Sequence, residues 1–344
     1  MITNFLMKIL VGISGGVDSA FAAKKLMDEG HTVEGAVLIM HEHTELAAAR
    51  EAAESLKLAL HEIDAREAFC QIKENFVSEY VHGRTPNPCI ICNERVKFKI
   101  LFDYAMEHGF DAIATGHYAK KTMVDGRHAL AMAEDLKKDQ TYMLYRLPEN
   151  ILAKLVLPLS EGKKSDIRVL ADESGISAAK SSDSQEICFL PEGNHAGYIE
   201  SVAGICPEGD FVDESGRVLG RHKGIIHYTV GQRKGLGIAL GSRAFVTKID
   251  PMTNQITLST EMTGESTVKI SNIVFSGMAA PTEECEETFE VKLRYTAPLV
   301  RASAHIYPDG RATLCLETPQ KFAPGQSAVL YRDGVVMLGG IIDG

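Results

Sequence analysis

Two cysteines three residues apart lie in a proline-flanked segment of the chain. Cys89 and Cys92 follow residues 84–88 (RTPNP) and open a predicted helix that also carries Arg95 and Lys97. A helix N-terminus and nearby cations stabilise a thiolate, so Cys92 is a candidate nucleophile. The same spacing also occurs in half of a zinc site, in a redox pair and in two inert buried thiols. The sequence has no second Cys-x-x-Cys pair, so a four-cysteine zinc site would need scattered ligands.

The glycine-rich hexapeptide SGGVDS, residues 14–19, lies between an apolar run and a predicted helix. Backbone N–H groups and the positive end of the helix dipole converge at such a loop, which predicts an anion site for phosphate. Ser14 and Ser19 add hydroxyl donors. Asp18 is either a helix cap or a carboxylate that faces Mg²⁺ carried by ATP. The missing G-K-[ST] ending excludes a Walker A loop, and the alternative to a ligand site is an ordinary capped glycine turn.

Strands and helices alternate around these two segments. The predicted strands are residues 8–13, 32–40, 60–63 and 112–115, and the predicted helices are residues 20–29, 45–58, 67–82 and 93–108. Short connections and β/α alternation predict a parallel sheet with helices on both faces. The pattern from residue 139 to about 174 is helical. Beyond about residue 204, short apolar runs and turn signals such as Asp309-Gly310 and Asp333-Gly334 predict β-hairpins.

The length and these patterns predict an α/β protein of two or three domains, in which the boundary near Gly264 is weakly marked. We expect an α/β domain over residues 1–203 and β-rich structure over residues 204–263 and 264–344. No apolar run approaches the roughly 18 residues of a membrane span, and the N-terminus has no signal-peptide cleavage site. We therefore expect a cytoplasmic protein with no membrane partner. The seven cysteines are an odd number, which suits reduced thiols better than a disulfide framework.

The chain is acidic, with 36 Lys and Arg residues against 46 Asp and Glu residues and a formal net charge of −10. This balance lowers the expectation of a nucleic-acid partner, because such proteins gain affinity by neutralising phosphates. One stretch reverses the balance, since residues 217–234 carry five cations and no acid. We predict that this basic stretch contacts phosphate. The Lys163-Lys164 pair is predicted to be solvated surface charge.

The hexapeptide resembles the PP-loop of the N-type ATP pyrophosphatases, which split ATP into AMP and pyrophosphate while adenylating a substrate oxygen. Seven segments in the same order resemble the tRNA-specific 2-thiouridylase family over nearly the whole chain: SGGVDS, GRTPNPCIICNERVKF, ATGHYA, KKDQTYML, DSQEICF, HYTVGQRKGLGI and PGQSAVLY. The resemblance implies a Rossmann-like PP-loop domain, a small central β domain and a C-terminal β-barrel. It also implies conversion of the wobble uridine of tRNA to 2-thiouridine with ATP and Mg²⁺.

The resemblance assigns site residues at the positions that match. Cys92 takes the place of the family's nucleophile, and Cys188 takes the place of the cysteine that becomes a persulfide. The implied ATP contacts are Gly12, Ile13, Ser14, Gly15, Gly16, Val17, Asp18, Ser19, Leu38 and Gly116. The implied tRNA contacts are Asn87, Pro88, Cys89, His117, Lys138, Asp139, Gln140, Arg294, Tyr295 and Gln326, of which the first three touch the target base.

The implied chemistry begins with attachment of AMP to the uracil C2 oxygen, which turns that oxygen into a leaving group. Sulfur from a Cys188 persulfide then displaces it, and Cys92 and Cys188 end as a disulfide that needs a reductant. The implied partners are tRNA and a sulfur donor such as a cysteine desulfurase or a persulfide relay protein. His117, Tyr118 and Tyr142 are candidates to line the pocket of the flipped base, and each is alternatively an ordinary core residue.

The sequence departs from the family at two places. Cys89 stands where many members have Asp, so Cys89, Cys92 and Cys188 are also candidate ligands of an iron-sulfur cluster with one open iron. The segment at residues 40–46 is shorter than in many members, so the adenine side of the ATP site is expected to be built differently. Two other functions stay open. One is a different PP-loop enzyme, such as a cytidine thiolase, a lysidine synthetase or an amide-forming ligase, and the other is an RNA-binding protein without turnover.

Overall fold

The computed structural model describes residues 6–174, 176, 187–190, 194–238, 243–261 and 263–344. Its helices are α1 (Val17–Asp28), α2 (Leu46–Ser55), α3 (Arg66–Val81), α4 (Pro88–Cys92), α5 (Phe98–Glu107), α6 (Thr141–Leu144), α7 (Glu149–Lys154), α8 (Lys164–Glu173) and α9 (His195–Ala203). A π-helical turn, Asn93–Lys97, joins α4 to α5. The strands within residues 8–156 are β1 (Lys8–Gly12), β2 (Thr32–Ile39), β3 (Leu60–Asp64), β4 (Ala112–Ala114), β5 (Lys120–Val124), β6 (Arg127–Ala131) and β7 (Leu155–Val156).

A five-stranded parallel sheet with the order β3-β2-β1-β4-β7 forms the first part of the fold. Successive side chains of a strand point to opposite faces, and β1 shows this directly. Ile9 and Val11 pack with α1, α2 and α8, whereas Leu10 packs with α5 on the other face. The predicted parallel sheet is confirmed. The helical prediction for residues 139–174 was wrong at β7, where two residues pair with β4 as an edge strand.

A four-stranded sheet with the order β10-β11-β8-β9 follows in the chain. Its strands are β8 (Gly209–Val212), β9 (Val218–His222), β10 (Phe245–Asp250) and β11 (Gln255–Ser259). The buried side chains of this sheet form one cluster with α3 and with the segment that carries Cys92; Phe76 of α3 and Phe211 of β8 belong to it. The cysteine segment is therefore held between two domains.

The C-terminal strands close into a six-stranded barrel. These strands are β12 (Glu265–Phe275), β13 (Cys285–Lys292), β14 (Val300–Ile306), β15 (Ala312–Gln320), β16 (Ser327–Arg332) and β17 (Val335–Ile342). Their order is β12-β15-β14-β13-β16-β17, and pairing of β12 with β17 closes the ring. The turn at Asp333-Gly334 has φ of 51° and 74°, as the predicted hairpin requires.

The β5–β6 hairpin interrupts the α/β part of the chain and joins the barrel, where Ala131 pairs with Val335 of β17. Sequence analysis did not predict this hairpin, although its turn, Asp125-Gly126, has the residue types of a tight hairpin turn and positive φ at both positions. Across the described residues, no helix is both long enough and apolar enough to cross a membrane.

Candidate active site

The glycine-rich loop leads from β1 into α1 and leaves the start of that helix open. Gly16 is the N-cap residue, and no side chain caps the helix. The loop is braced from within, because the Ser14 N–H donates to Ser19 Oγ at 3.2 Å and Ser19 Oγ donates to the Gly16 carbonyl at 2.9 Å. Gly15 has φ of +83°, and a Cβ there would lie 2.7 Å from the Cβ of Ala48. The uncapped N–H groups at the start of α1 have the chemistry that an anion site requires.

Asp18 faces a lysine rather than capping the helix. Its carboxylate accepts hydrogen bonds from the Tyr118 hydroxyl at 2.7 Å and from Lys164 Nζ at 3.0 Å. The Lys164 side chain is 12% exposed, and its Nζ lies 5.6 Å from the centre of the Tyr118 ring. The helix-cap alternative for Asp18 was wrong, and so was the prediction that Lys164 is solvated. Sequence analysis missed Lys164 because 146 residues separate it from Asp18.

Gly116 follows β4 and contacts the glycine-rich loop backbone to backbone. A Cβ at this position would lie 2.6 Å from the Asp18 carbonyl carbon and 2.7 Å from the Ser19 nitrogen. Any side chain would therefore displace the first turn of α1. Ile13 is buried, and its N–H donates to the Ala36 carbonyl at 2.7 Å. Leu38 is half-buried and packs against the hydrophobic cluster that contains Cys92.

The cysteine pair lies on α4, whose first turn is set by its own sequence. The side-chain oxygen of Asn87 accepts from the Cys89 N–H at 3.2 Å, and the buried Pro88 occupies the first turn, where its missing N–H costs nothing. Asn87 is therefore the helix cap. The π-helical turn follows directly after Cys92. Such turns are rare in proteins, and those that do occur are often found at functional sites.

Burial controls the Cys92 thiol. Cys92 is 4% exposed, and desolvation raises the pKa of its thiol to about 12, although the Lys97 ammonium opposes this shift. The prediction of a helix-stabilised thiolate at Cys92 was wrong for this state, because α4 begins at Pro88 and its positive end lies nearer Cys89. Arg95 does not help either, since its side chain is 64% exposed and turned towards Glu94.

Lys97 is the cation that the three thiols share. Burial alone would lower the pKa of Lys97, but the thiols of Cys92, Cys89 and Cys188 raise it above its ordinary value. Cys89 is half-buried and Cys188 is exposed. The structure thus brings together the three predicted thiols. The residues just before Cys188, which include DSQE of the sequence motif, lie outside the described residues.

His117 connects the loop to the thiols. Its Nδ1 shares a hydrogen bond of 2.9 Å with Thr115 Oγ1, and its ring centre lies 5.3 Å from that of Phe98. Burial, together with the Lys97 charge, lowers the pKa of His117 to about 3, so the ring is neutral. Gly116 contacts Asp18, and the charge of Lys97 acts on both His117 and the three thiols, so the glycine-rich loop and the thiols lie near each other.

The Lys138-Asp139-Gln140 segment is only partly available to a ligand. Asp139 is 3% exposed and accepts from the Ala133 N–H at 3.0 Å and from Thr141 Oγ1 at 2.6 Å, so its carboxylate is internal. The expected tRNA contact at Asp139 therefore does not involve this side chain. Lys138 and Gln140 are half-buried, and Gln140 Oε1 accepts from the Tyr118 N–H at 2.9 Å.

Thr85, in the α/β part of the chain, forms hydrogen bonds with both the barrel domain and the domain of the four-stranded sheet. Its N–H donates to the Pro324 carbonyl at 2.8 Å, and its carbonyl accepts from Gln326 Nε2 at 2.6 Å. Its hydroxyl donates to Thr229 Oγ1 at 3.4 Å. Gln326, a predicted tRNA contact, thus binds the loop that precedes Cys89.

Of the remaining predicted contacts, Arg294 is exposed and Tyr295 is half-buried. The rings of Tyr295 and Tyr142 are 6.2 Å apart. Tyr142 is fully buried and its hydroxyl donates to the Ser327 carbonyl at 2.8 Å, so Tyr142 is a core residue. Tyr118 is also buried, but its hydroxyl belongs to the site through Asp18.

The short segment after β2 contributes a histidine that sequence analysis missed. His41 is 7% exposed, its ring lies 5.5 Å from that of Phe69, and its Nδ1 has no hydrogen-bond partner among the described residues. Burial lowers the pKa of His41, and the charges of Lys73 and Lys97 act in the same direction. A single histidine without a motif gave no signal in the sequence.

The basic stretch at residues 217–234 is partly neutralised in space. Arg217 pairs with Asp213 at 3.0 Å and Arg221 pairs with Asp210 at 3.0 Å, both acids lying outside the stretch. Within this stretch, the cations that have no carboxylate partner among the described residues are Lys223, Arg233 and Lys234, all exposed. These three define the positive surface that remains.

The described residues contain no group of three or more His, Cys, Asp or Glu side chains arranged to hold a metal ion. Cys89, Cys92 and Cys188 have the right chemistry for a cluster with three thiolate ligands. Their present arrangement is not a ligand set. Asp18 has the chemistry for Mg²⁺, but both of its oxygens already accept hydrogen bonds.

The parallel sheet, the uncapped glycine loop after its central strand and the two β-rich domains that follow define a protein of the HUP class. Family models agree in succession along the chain. The tRNA methyl transferase HUP domain matches residues 7–192, the tRNA methyl transferase PRC-barrel domain matches residues 193–260, and the aminomethyltransferase beta-barrel domain matches residues 265–342. The expected order of PP-loop domain, central β domain and C-terminal barrel is thereby confirmed.

The chain belongs to the tRNA-specific 2-thiouridylase family, as its motifs predict. It is 41% identical to tRNA-specific 2-thiouridylase MnmA of Lachnoclostridium phytofermentans, over 97% of this chain and 99% of that protein. It is 40% identical to the protein of the same name from Clostridium perfringens, over 98% of both chains. Among solved structures, a 4-thiouridine synthetase in complex with RNA and ATP aligns with a TM-score of 0.41 and 18% identity, over 53% of this chain and 45% of that chain.

Proposed function

We propose that this protein converts the wobble uridine of tRNA to 2-thiouridine in an ATP-dependent reaction. Relatives that match almost end to end carry the name of this activity. The observation that carries the proposal is the continuity of the site. Gly116 contacts the phosphate loop, its neighbour His117 faces Lys97, and Lys97 faces the three thiols. A nucleotide and a sulfur-bearing cysteine therefore meet around one substrate atom.

ATP binds at the start of α1 in this proposal. The open N–H groups of the glycine loop receive phosphate oxygens, and Lys164 supplies a cation beside them. Asp18 would hold a Mg²⁺ ion that arrives with ATP after exchanging its hydrogen bonds from Tyr118 and Lys164 for the metal, and the metal would offset phosphate charge. The adenine lies towards Leu38 and the short segment at residues 40–46. Pyrophosphate leaves when the uracil C2 oxygen attacks the α-phosphorus.

Lys164→Met is expected to weaken ATP binding by about tenfold, because the variant has no ammonium to pair with phosphate and leaves Asp18 without its cation. Lys163→Met is the matched control, since Lys163 is the neighbouring lysine and is exposed. Equilibrium dialysis with labelled ATP measures both. Equal affinities of the two variants would remove Lys164 from the nucleotide site.

Sulfur transfer uses two cysteines with different surroundings. Cys188 is exposed, which suits a residue that a cysteine desulfurase or a persulfide relay protein must charge. In one route the terminal sulfur of its persulfide attacks C2 of the adenylated uridine, and Cys92 then attacks Cys188 Sγ and breaks the S–S bond, which leaves the terminal sulfur on C2. In the other route Cys92 first attacks Cys188 Sγ and releases hydrosulfide, which attacks C2. In both routes AMP leaves with the former C2 oxygen, and Cys92 and Cys188 become a disulfide. An external reductant then restores both thiols.

An iron-sulfur cluster on Cys89, Cys92 and Cys188 is the alternative sulfur route. When bound, such a cluster would present sulfide on its open iron. The persulfide route predicts that anaerobically purified protein contains less than one equivalent of iron and acid-labile sulfide per chain, because that route uses sulfur carried by Cys188 alone. About four of each per chain, absent in Cys89→Ser, would establish the cluster route instead.

The positive surface of Lys223, Arg233 and Lys234 is proposed to contact tRNA phosphates. The Arg233→Gln/Lys234→Gln protein is expected to lower the slope of log affinity against log salt by about one for each phosphate that it no longer neutralises. The Arg217→Gln/Arg221→Gln protein is the control, since those guanidinium groups already pair with aspartates. Filter binding of tRNA between about 50 and 200 mM salt, a range in which such slopes are resolved, tests the contrast. Equal slopes in both variants would place the RNA elsewhere.

The decisive test of the function is nucleoside mass spectrometry. Unmodified tRNA incubated with the protein, ATP, Mg²⁺ and a persulfide donor should yield 2-thiouridine at the wobble position. Adenylation of a different substrate, the activity of another PP-loop enzyme, would give pyrophosphate without 2-thiouridine. A binding protein without turnover would give neither. Because the reacting base must leave its stack to reach a buried site, unstructured anticodon loops should react and duplexes should not.

A further inference from the structure

A polar cavity of about 210 Å³ lies between the C-terminal half of α3, the α4 segment and the barrel. Asn87 and Ile90 line it on one side, and Asn272 and Ser327 line it on the other. None of the predicted ATP contacts or sulfur-carrying residues opens into it. The cavity is therefore separate from the phosphate loop and the thiols, although it shares Asn87 with the proposed base-binding segment.

The charged groups of the cavity favour an anion. Three arginines line it, Arg84, Arg95 and Arg146, and they face the carboxylates of Glu79 and Glu94. Arg84 is bound to Glu79 at 2.8 Å, and Arg146 is bound to Glu94 at 2.8 and 3.2 Å.

Arg95 differs from the other two arginines of the cavity because it has no close ion pair with a carboxylate of the described residues. Its nearest approach to Glu94 is 3.8 Å, and its side chain is 64% exposed. Within the described residues no carboxylate lies closer to this guanidinium, so most of its donors face solvent and are available to a ligand. A planar guanidinium with several open donors matches the geometry of a phosphate better than that of any neutral group.

The remaining walls indicate that the anion belongs to a nucleotide. The half-buried Ile91 and Ile341 supply an apolar surface of the kind that covers a ribose or base face. Asn75 and Asn272 supply amide groups that can donate to and accept from base edges. An inorganic anion would gain nothing from the isoleucines.

The cavity lies across α4 from the thiols. Residues three apart share a helix face, so Cys89 and Cys92 lie together, and Asn87 lies with Ile90 on the cavity side. One helix diameter, about 10 Å, separates the two sides. A nucleotide chain that places one base among the thiols can pass Asn87 and place its neighbour in the cavity.

We propose that this cavity is an RNA subsite that binds the nucleotide adjacent to the wobble uridine, with Arg95 contacting its phosphate. This inference rests on the proposed function and adds a specific backbone contact to it. Arg146 and Arg84 hold the walls of the subsite through their carboxylate partners.

The test uses the full-length protein and an anticodon stem-loop RNA in a fluorescence anisotropy titration. Arg95→Gln is expected to weaken binding about tenfold and to lower the salt slope by about one. Arg95→Lys retains the charge and should retain the slope. Arg66→Gln is the matched control, because Arg66 is an exposed arginine at the opposite end of α3, about 20 Å from Glu79 at roughly 1.5 Å per residue.

A double-mutant cycle identifies the phosphate. Methylphosphonate linkages placed singly on either side of the wobble uridine remove one charge each. At one of the two linkages, affinity should fall about tenfold for the wild-type protein and stay unchanged for Arg95→Gln, since the linkage and the variant remove the same interaction. Additive effects at both linkages, or an unchanged slope in Arg95→Gln, would overturn the subsite. Formation of 2-thiouridine by the wild-type protein is measured in parallel, so a failure of the subsite is distinguished from a failure of the proposed function.

Discussion

Cys188→Ser is expected to abolish 2-thiouridine formation, by a factor on the order of 10³ or more, while tRNA-dependent release of pyrophosphate continues. A serine oxygen cannot carry a transferable sulfur, but the phosphate loop and Lys164 are untouched by the change. Adenylation precedes sulfur transfer in the proposed reaction, so the two readouts separate. Nucleoside mass spectrometry measures the first and a coupled pyrophosphate assay measures the second.

Cys315→Ser is the control for this prediction, because Cys315 is an exposed cysteine on strand β15 of the barrel. It should retain full thiolation. Cys92→Ser should also lose thiolation and should leave a persulfide on Cys188 that mass spectrometry detects after incubation with a donor. Thiolation by Cys188→Ser with a physiological persulfide donor would refute the assignment of the two cysteines.

Gly116→Ala is expected to reduce ATP affinity by about a hundredfold or more. The added methyl would meet the backbone of Asp18 and Ser19 at 2.6 to 2.7 Å, a distance that only movement of the first turn of α1 can relieve. The same turn presents the N–H groups that bind phosphate, and displacements of about 1 Å at such sites have effects of this size. Isothermal titration with ATP measures the decrease.

Gly126→Ala provides the comparison for Gly116→Ala. Gly126 has φ of +81° in the β5–β6 turn, and a Cβ there would meet no atom within 4 Å. The change strains the backbone by about 1 kcal/mol and should lower stability with no effect on ATP binding. If Gly116→Ala bound ATP as well as Gly126→Ala does, the close approach at Gly116 would not position the loop.

The local parts of the fold could be predicted from the sequence because local chemistry determines them. The buried strand before SGGVDS, the proline-initiated helix at Cys89 and the Asp333-Gly334 turn all follow from residue types within a few positions. The five-stranded sheet follows from the alternation of strands and helices. The hairpin at residues 120–131 has a local turn signal at Asp125-Gly126 that sequence analysis did not use, whereas its attachment to the barrel depends on a strand about 200 residues later in the chain.

The electrostatics of the site could not be predicted, since they depend on groups brought together by tertiary structure. The Asp18–Lys164 ion pair joins residues 146 positions apart. The thiol of Cys92 was expected to be a stabilised thiolate, whereas burial among α3 and the central sheet reverses the direction of the shift in its pKa. Arg217 and Arg221 looked unpaired in the sequence because their aspartates stand just before the basic stretch.

The triple contact of Thr85 has a consequence for how this enzyme can be divided or recombined. A polypeptide ending before the barrel would lack the Pro324 and Gln326 partners of the loop that precedes Cys89, and one lacking the central sheet would lose the Thr229 hydroxyl. We therefore expect the α/β part alone to hold the loop before Cys89 less firmly than the full-length protein does. Chimaeras that exchange a whole barrel between relatives must bring along matching surfaces at this junction, or the reactive cysteines lose their register with the bound nucleotide.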